Sequence, residues 1–266
     1  MAVLAGSLRL LVAAVLLAPL TTVPSLAVFG GKALRDGDPL ARSVAAIVYR
    51  DATGAHLCTA VALGPRLLLT AAHCTAGDRS AIKVIFGTTL ADVGNDRIRS
   101  VAAVAHPGKT AAGRGKYAYQ NPDDIALVVL GSGAPAGTRF VALTRSPPSS
   151  AAVTIAGYGA TSELRKPNPL GKRQLGFDGV LRTASVPLGK VEPALLVGDQ
   201  DRGTGACTGD SGGPAFMGQA LVGVLVGVSS PRANNDYCRG TAWFANLGRW
   251  RDWIETTARD LGQPLN

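Results

Sequence analysis

A serine in a glycine-rich stretch is the first candidate for chemistry in this chain. Ser211 lies in GACTGDSGGPAF, with Asp210 directly before it and Cys207 four residues upstream. A serine hydroxyl is almost fully protonated at neutral pH and is a weak nucleophile unless a base activates it. The stretch therefore predicts nucleophilic catalysis only if the rest of the chain supplies that base.

Three histidines are candidates for the base, because a histidine most economically provides a general base near neutral pH. His73 ends the apolar run LLLTAAHC, and a disulfide at Cys74 would hold its backbone still. His56 lies beside Cys58, and His106 precedes a proline in a segment typical of a loop. The residue types alone leave these three candidates open.

A carboxylate is also needed to orient the base and to stabilise the imidazolium that forms. Asp124 begins the apolar segment DIALVVL, where a buried carboxylate would need a partner. Asp123, directly before it, is the rival candidate.

Short apolar runs rich in Val and Ile, separated by Gly, Pro, Asn and Asp, dominate the chain after residue 27 and predict strands. The 266 residues suffice for a sizeable core, and 47% hydrophobic with 17% charged residues excludes a disordered chain. Near the C-terminus, four apolar residues recur at helical spacing and predict a helix that docks on the body: Leu247, Trp250, Ile254 and Ala258.

Residues 1–27 are predicted to be a secretory signal peptide. Arg9 precedes an apolar run too short to span a bilayer comfortably, and Ser25 and Ala27 have the spacing of a cleavage site. A membrane anchor is the alternative. Export to an oxidising compartment predicts disulfides, and the simplest of the three pairings of four cysteines is Cys58–Cys74 with Cys207–Cys238.

The net charge of +9 comes from scattered basic residues, densest in ELRKPNPLGKRQ (163–174). We interpret this segment as an exposed loop, and predict no nucleic-acid partner, because binding a polyanion requires a continuous basic face.

Three motifs in the order TAAHC, DIALVVL and GDSGGP resemble the trypsin/chymotrypsin family of secreted serine endopeptidases. The resemblance covers nearly the whole chain after residue 27. It implies an all-β fold of two packed six-stranded antiparallel β-barrels with a C-terminal α-helix. We expect barrel one over about 28–135, barrel two over about 150–246 and the helix over about 247–262, within one peptidase domain at 28–266.

The resemblance assigns the site residues. Ser211 is expected to be the nucleophile, His73 the general base and then acid, and Asp124 the residue that orients it. The backbone N–H groups of Gly209 and Ser211 would form the oxyanion hole. His56 matches a structural position, and no metal or organic cofactor is implied.

Family members become active when a new N-terminal ammonium pairs with the aspartate before the serine. The segment VFGGK starts at Val28, so signal removal after Ala27 would itself create that terminus. We expect Val28 to pair with Asp210, with Phe29 replacing the family's small aliphatic residue.

The expected specificity pocket has Gly205 at its base, where a trypsin has an aspartate that binds Lys or Arg. Val226 stands where the family usually has serine, Gly227 where it has an aromatic residue, and Val228 where it has glycine. Ala242 corresponds loosely to another usual glycine. The predicted preference before the cut is a small or medium apolar residue.

The resemblance thus implies a secreted, extracellular endopeptidase that acts on proteins or peptides through an acyl-enzyme. Protein inhibitors are possible partners, a stable membrane anchor is not expected, and a monomer is the default. One alternative is a protease-like binding or adhesion protein with weak or lost turnover, to which the departures at Val226 and Gly227 point. The other is an esterase that uses the same machinery.

Overall fold

The computed structural model describes residues 28–76, 78, 81–91, 98–108, 120–144, 151–164, 174–201, 203–229 and 237–265. These residues form fifteen strands and one α-helix, joined by turns and short 3-10 helices. The predicted signal peptide lies outside the described residues, as do most of the basic segment 163–174 and the end of the connection between the predicted barrels.

Six strands of the N-terminal half close into an antiparallel barrel. They are β2 (Val44–Asp51), β3 (Gly54–Gly64), β4 (Leu67–Thr70), β5 (Lys83–Phe86), β6 (Ile98–Ala105) and β7 (Ala126–Leu130). The strand order around the barrel is β2-β3-β4-β7-β6-β5, and β5 pairs back with β2. Closure removes free strand edges, and apolar side chains such as Ile47, Leu68 and Val128 fill the interior.

The C-terminal half contains a second antiparallel sheet that also closes. Its strands are β8 (Ala152–Gly157), β11 (Arg182–Val191), β12 (Leu195–Asp199), β13 (Pro214–Met217), β14 (Ala220–Ser229) and β15 (Thr241–Asn246). Their order is β11-β12-β15-β14-β13-β8, and β8 pairs again with β11. The short β1 (Lys32–Ala33) pairs with β11, while β9 (Ser162–Leu164) and β10 (Gln174–Gly176) form a separate hairpin. The predicted all-β fold of two barrels is confirmed.

The helix α1 (Leu247–Asp260) follows β15 directly. The Asn246 side chain accepts a hydrogen bond from the Gly248 N–H at 3.2 Å and caps the helix. The four residues predicted to form its apolar face are all buried. They pack into a cluster that contains Ile125 from the first barrel and Val226 from the second, so the helix holds the two barrels together. Among the described residues, no helix is both long and apolar enough to cross a membrane.

Candidate active site

His73 and Asp124 meet because the strands next to them are paired. His73 lies on the 3-10 helix Ala72–Thr75, directly after β4, and Asp124 lies just before β7. Strands β4 and β7 are antiparallel, with Thr70 opposite Ala126, so the end of one strand meets the start of the other. Residues fifty-one positions apart are thereby brought together.

Both oxygens of the Asp124 carboxylate are bound to His73. Oδ2 lies 2.7 Å from the ring Nδ1, and Oδ1 accepts a hydrogen bond from the His73 backbone N–H at 2.8 Å. Asp124 is 1% exposed, so water does not compete for these contacts. Because an ionised carboxylate only accepts, Nδ1 carries the proton and Nε2 remains the basic nitrogen.

Ser211 belongs to the turn before β13 and is tied by its backbone to the first barrel. Its carbonyl oxygen accepts a hydrogen bond from the Thr59 N–H at 2.8 Å. The same oxygen lies 3.6 Å from Sγ of Cys74, the residue after His73. The predicted nucleophile therefore lies beside the segment that carries the predicted base, although the two come from different barrels.

The glycines around Ser211 are required by both backbone conformation and space. Gly209 has φ +98°, and a Cβ there would lie 2.9 Å from the Gly159 Cα. Gly212 has φ +80°, and a Cβ there would overlap Thr70 and the Thr59 carbonyl. A side chain at either position would move the loop that carries Ser211. The assignment of the Gly209 and Ser211 N–H groups to an oxyanion hole remains a prediction.

Asp210 is a buried carboxyl held by two backbone donors. Oδ1 accepts from the Gly159 N–H at 2.7 Å, and Oδ2 accepts from the Cys207 N–H at 2.9 Å. Burial raises the pKa of Asp210 to about 7, and the two N–H groups lower it only in part. Val28, its predicted partner, is fully buried. In the full-length chain its nitrogen is an amide and carries no charge.

Phe29 fits against the second disulfide. It packs against the buried cluster that Ala160 forms with Cys207 and Cys238, and the Arg239 guanidinium lies 4.8 Å above the ring centre. Its carbonyl oxygen accepts a hydrogen bond from the Gly205 N–H at 2.8 Å. The segment after Val28 is therefore joined directly to the predicted base of the specificity pocket.

The two predicted disulfides, Cys58–Cys74 and Cys207–Cys238, are both present. The first flanks His73, and the second begins four residues before Ser211. Cys58, His73 and Cys74 also lie close enough to suggest a metal site within the described residues. Their sulfurs are bonded to each other and are not available as thiolate ligands.

The residues predicted to line the pocket occupy different environments. Gly205 is buried and contacts Gln200, a residue that the sequence analysis did not single out. Val226 is 2% exposed and packs in the cluster between the barrels with Ile125, next to Asp124. Val228 is partly buried and pairs across the sheet with Ala242.

His56, which the family resemblance places in a structural, hydrogen-bonded position near the active site, lies on β3 close to the turn that joins it to β2. Its Nε2 lies 2.8 Å from Asp51 Oδ1 and 2.9 Å from the Thr53 hydroxyl, and its ring stacks on Tyr49. Hydrogen bonds from Thr53 and then from His56 lower the pKa of Asp51 to about 2. These contacts support the structural role expected for His56.

His106 is packed against the C-terminal helix. Its ring centre lies 4.8 Å from that of Trp250 and 4.9 Å from that of Trp253. Burial lowers the pKa of His106, while Asp123, 3.8 Å away, raises it in part. Asp123 therefore faces His106, whereas Asp124 faces His73, which supports the choice between the two neighbouring aspartates.

Comparisons with known proteins find related sequences over most of the chain. A family model described as Trypsin matches residues 34–254. Trypsin alpha-4 of Lucilia cuprina is 28% identical over 222 residues, covering 79% of this chain and 80% of that protein. Kallikrein-11 of Homo sapiens is 28% identical over 77% of this chain and 72% of its own. A trypsin of Saccharopolyspora erythraea is 28% identical over 72% of this chain and 85% of its own.

Proposed function

The chain belongs to the trypsin family, and from this we propose that it is a secreted serine endopeptidase. Ser211 is the nucleophile, His73 the general base and Asp124 the residue that orients the base. The observation that supports this proposal most strongly is the double contact of the Asp124 carboxylate with the His73 ring and backbone. Burying a charged carboxylate is costly, and an imidazolium formed on His73 during the reaction would offset that cost.

In the proposed reaction, Ser211, His73 and Asp124 act together on the scissile bond. Ser211 Oγ attacks the carbonyl carbon of the scissile bond as His73 Nε2 takes its proton, and Asp124 stabilises the resulting imidazolium. The carbonyl oxygen gains negative charge, which the N–H groups of Gly209 and Ser211 stabilise. His73 then protonates the leaving amine. Water, activated by the same histidine, hydrolyses the acyl-enzyme and restores Ser211.

Activation by signal removal is the second part of the proposal. Val28 and Asp210 are both buried, and cleavage after Ala27 would convert the Val28 amide into an ammonium that we expect to reach the Asp210 carboxyl. The raised pKa of Asp210 marks a carboxyl that a nearby cation would favour in its charged form. The pairing would fix the turn that carries Gly209. N-terminal sequencing of the secreted protein tests this step, and a start other than Val28 contradicts it.

We further propose that the enzyme cuts after small or medium apolar residues rather than after Lys or Arg. Gly205 offers no charge to a cationic side chain, and an unpaired buried cation is strongly disfavoured. Val228 and Ala242, paired across β14 and β15, would narrow the pocket. At 28% identity the relatives do not fix this preference. The argument therefore rests on the residues of this chain, and proteins or peptides are the proposed substrates.

The test is a mixed peptide-library digest by the protein that begins at Val28, mapped by mass spectrometry. Ser211→Ala should abolish every cut. Ser185→Ala, the same change at an exposed position on β11, should leave the pattern intact. The residues before the cuts then report the preference. A folded protein that makes no cuts would contradict the proposal and favour the binding or adhesion protein.

A further inference from the structure

Gln200 is a fully buried glutamine at the end of β12, and its whole amide is held by one neighbouring residue. Its Oε1 accepts from the Ala206 N–H at 2.6 Å, and its Nε2 donates to the Ala206 carbonyl at 3.0 Å. Its own backbone N–H donates to the Gly240 carbonyl at 3.0 Å. The side chain therefore has a fixed position, with one N–H and one lone pair left for other partners.

The Gln200 amide occupies the space into which a side chain at position 205 would point. A Cβ built on Gly205 would overlap Cγ, Cδ and Oε1 of Gln200. Gly205 does not have a positive φ, so its backbone would accept an ordinary residue. Glycine is thus required at 205 because Gln200 fills the space of a side chain, and not because of the backbone conformation. A side chain at 205 and the glutamine at 200 exclude each other.

We propose that Gln200 forms the base of the specificity pocket and determines which side chain the enzyme accepts before the cut. This inference rests on the proposed function, in which position 205 lies at the pocket base. A neutral amide in that place shortens the pocket and offers no charge to Lys or Arg. The preference for shorter apolar residues then has two causes: the missing aspartate, and the glutamine that fills its space.

The proposal predicts that Gly205→Asp alone cannot create a preference for Lys, because the new carboxyl collides with Gln200. Adding Gln200→Ala removes the obstruction. We would measure kcat/KM for wild type, both single variants and the double variant, on peptides that differ only in Ala, Leu or Lys before the cut. The Lys-to-Ala ratio should rise about 10-fold or more only in the double variant, and Gln200→Ala alone should raise the Leu-to-Ala ratio about 10-fold.

Equal gains of Lys cleavage in the single Gly205→Asp variant and in the double variant would overturn the proposal. So would a Leu-to-Ala ratio that Gln200→Ala leaves unchanged. Thermal unfolding of each variant shows whether it is folded. If the double variant fails to fold, Gln200→Glu keeps the side-chain volume and adds a carboxyl at the same place. It should raise the Lys-to-Ala ratio about 10-fold, whereas Gln219→Glu, the same change on an exposed turn, should not. An unchanged ratio in Gln200→Glu would refute the role.

Failure of this proposal can be distinguished from failure of the proposed function. If wild type cuts apolar peptides and Ser211→Ala does not, the endopeptidase stands whatever the variants at 200 and 205 do. If wild type cuts nothing, the endopeptidase fails, and the specificity role of Gln200 fails with it. Unfolding measurements then still test whether a side chain at 205 and Gln200 exclude each other. If they do, Gln200→Ala should offset the loss in the free energy of unfolding that Gly205→Asp causes.

Discussion

A chain that keeps Ala27 in front of Val28 should lose stability as the pH rises from about 4 to about 7, because the buried Asp210 carboxyl must then give up its proton. A chain that starts at Ala27 has no ammonium at position 28, so the Asp210 carboxyl keeps the environment described above. Its pKa is then about 7, against 3.8 for the ordinary group. In the proposed active chain, which starts at Val28, an ammonium pairs with the same carboxyl, and this would favour the ionised form.

The sign follows from proton binding. In the Ala27 form, the folded state holds the Asp210 proton more tightly than the unfolded state does. The stability from this group is fully present below the unfolded pKa of 3.8 and is lost as the pH rises through about 7. Each pKa unit corresponds to about 1.36 kcal/mol, so the loss by neutral pH is about 4 kcal/mol. This value is a ceiling, because any water that reaches the carboxylate at neutral pH reduces the loss.

The assay compares the free energy of unfolding in denaturant for the two chains, at several pH values between 4 and 7. Both chains carry Ser211→Ala to prevent self-digestion. As the pH rises, the free energy of unfolding of the Val28 chain should increase relative to that of the Ala27 chain, by up to about 4 kcal/mol. Asp210→Asn in both chains is the matched control and should remove the pH-dependent part of the difference. Identical pH dependence of the two chains without that substitution would refute the reasoning.

Three further predictions follow from the site. Asp124→Asn should reduce kcat about 10⁴-fold by allowing the wrong His73 tautomer, with the thermal midpoint recorded alongside; a loss below 10-fold would contradict the orienting role. Gly209→Ala should reduce kcat about 10²–10³-fold by displacing an oxyanion donor, whereas Gly218→Ala, also at a positive φ but in open space, should keep kcat near wild type. Tyr158→Phe removes the 2.6 Å hydrogen bond from the buried hydroxyl to the Gly87 carbonyl and should lower the free energy of unfolding by about 1–3 kcal/mol; no change in denaturant unfolding would argue against that bond.

Sequence reasoning succeeded where a local pattern carries the information. The apolar spacing in Leu247–Asp260 predicted the buried face of the helix, because 3.6-residue periodicity is a property of the helix itself. The cysteine pairing and the all-β architecture also followed from patterns along the chain, and both are present in the structure. The three motifs around His73, Asp124 and Ser211 pointed to one chemistry because their residue types and order are specific.

Only the tertiary structure decided the contacts between segments that are distant along the chain. The DIALVVL motif selected Asp124 over Asp123 only by its resemblance to a family, and the physical difference lies in the tertiary contacts, because strand pairing places Asp123 beside His106 and Asp124 beside His73. No sequence pattern links Gln200 to Gly205, because their proximity is a tertiary contact that only the folded chain reveals. The raised pKa of Asp210 likewise comes from the surrounding protein excluding water. The sequence alone was enough to propose the reaction, whereas the shape and electrostatics of the site depend on how the two barrels pack around it.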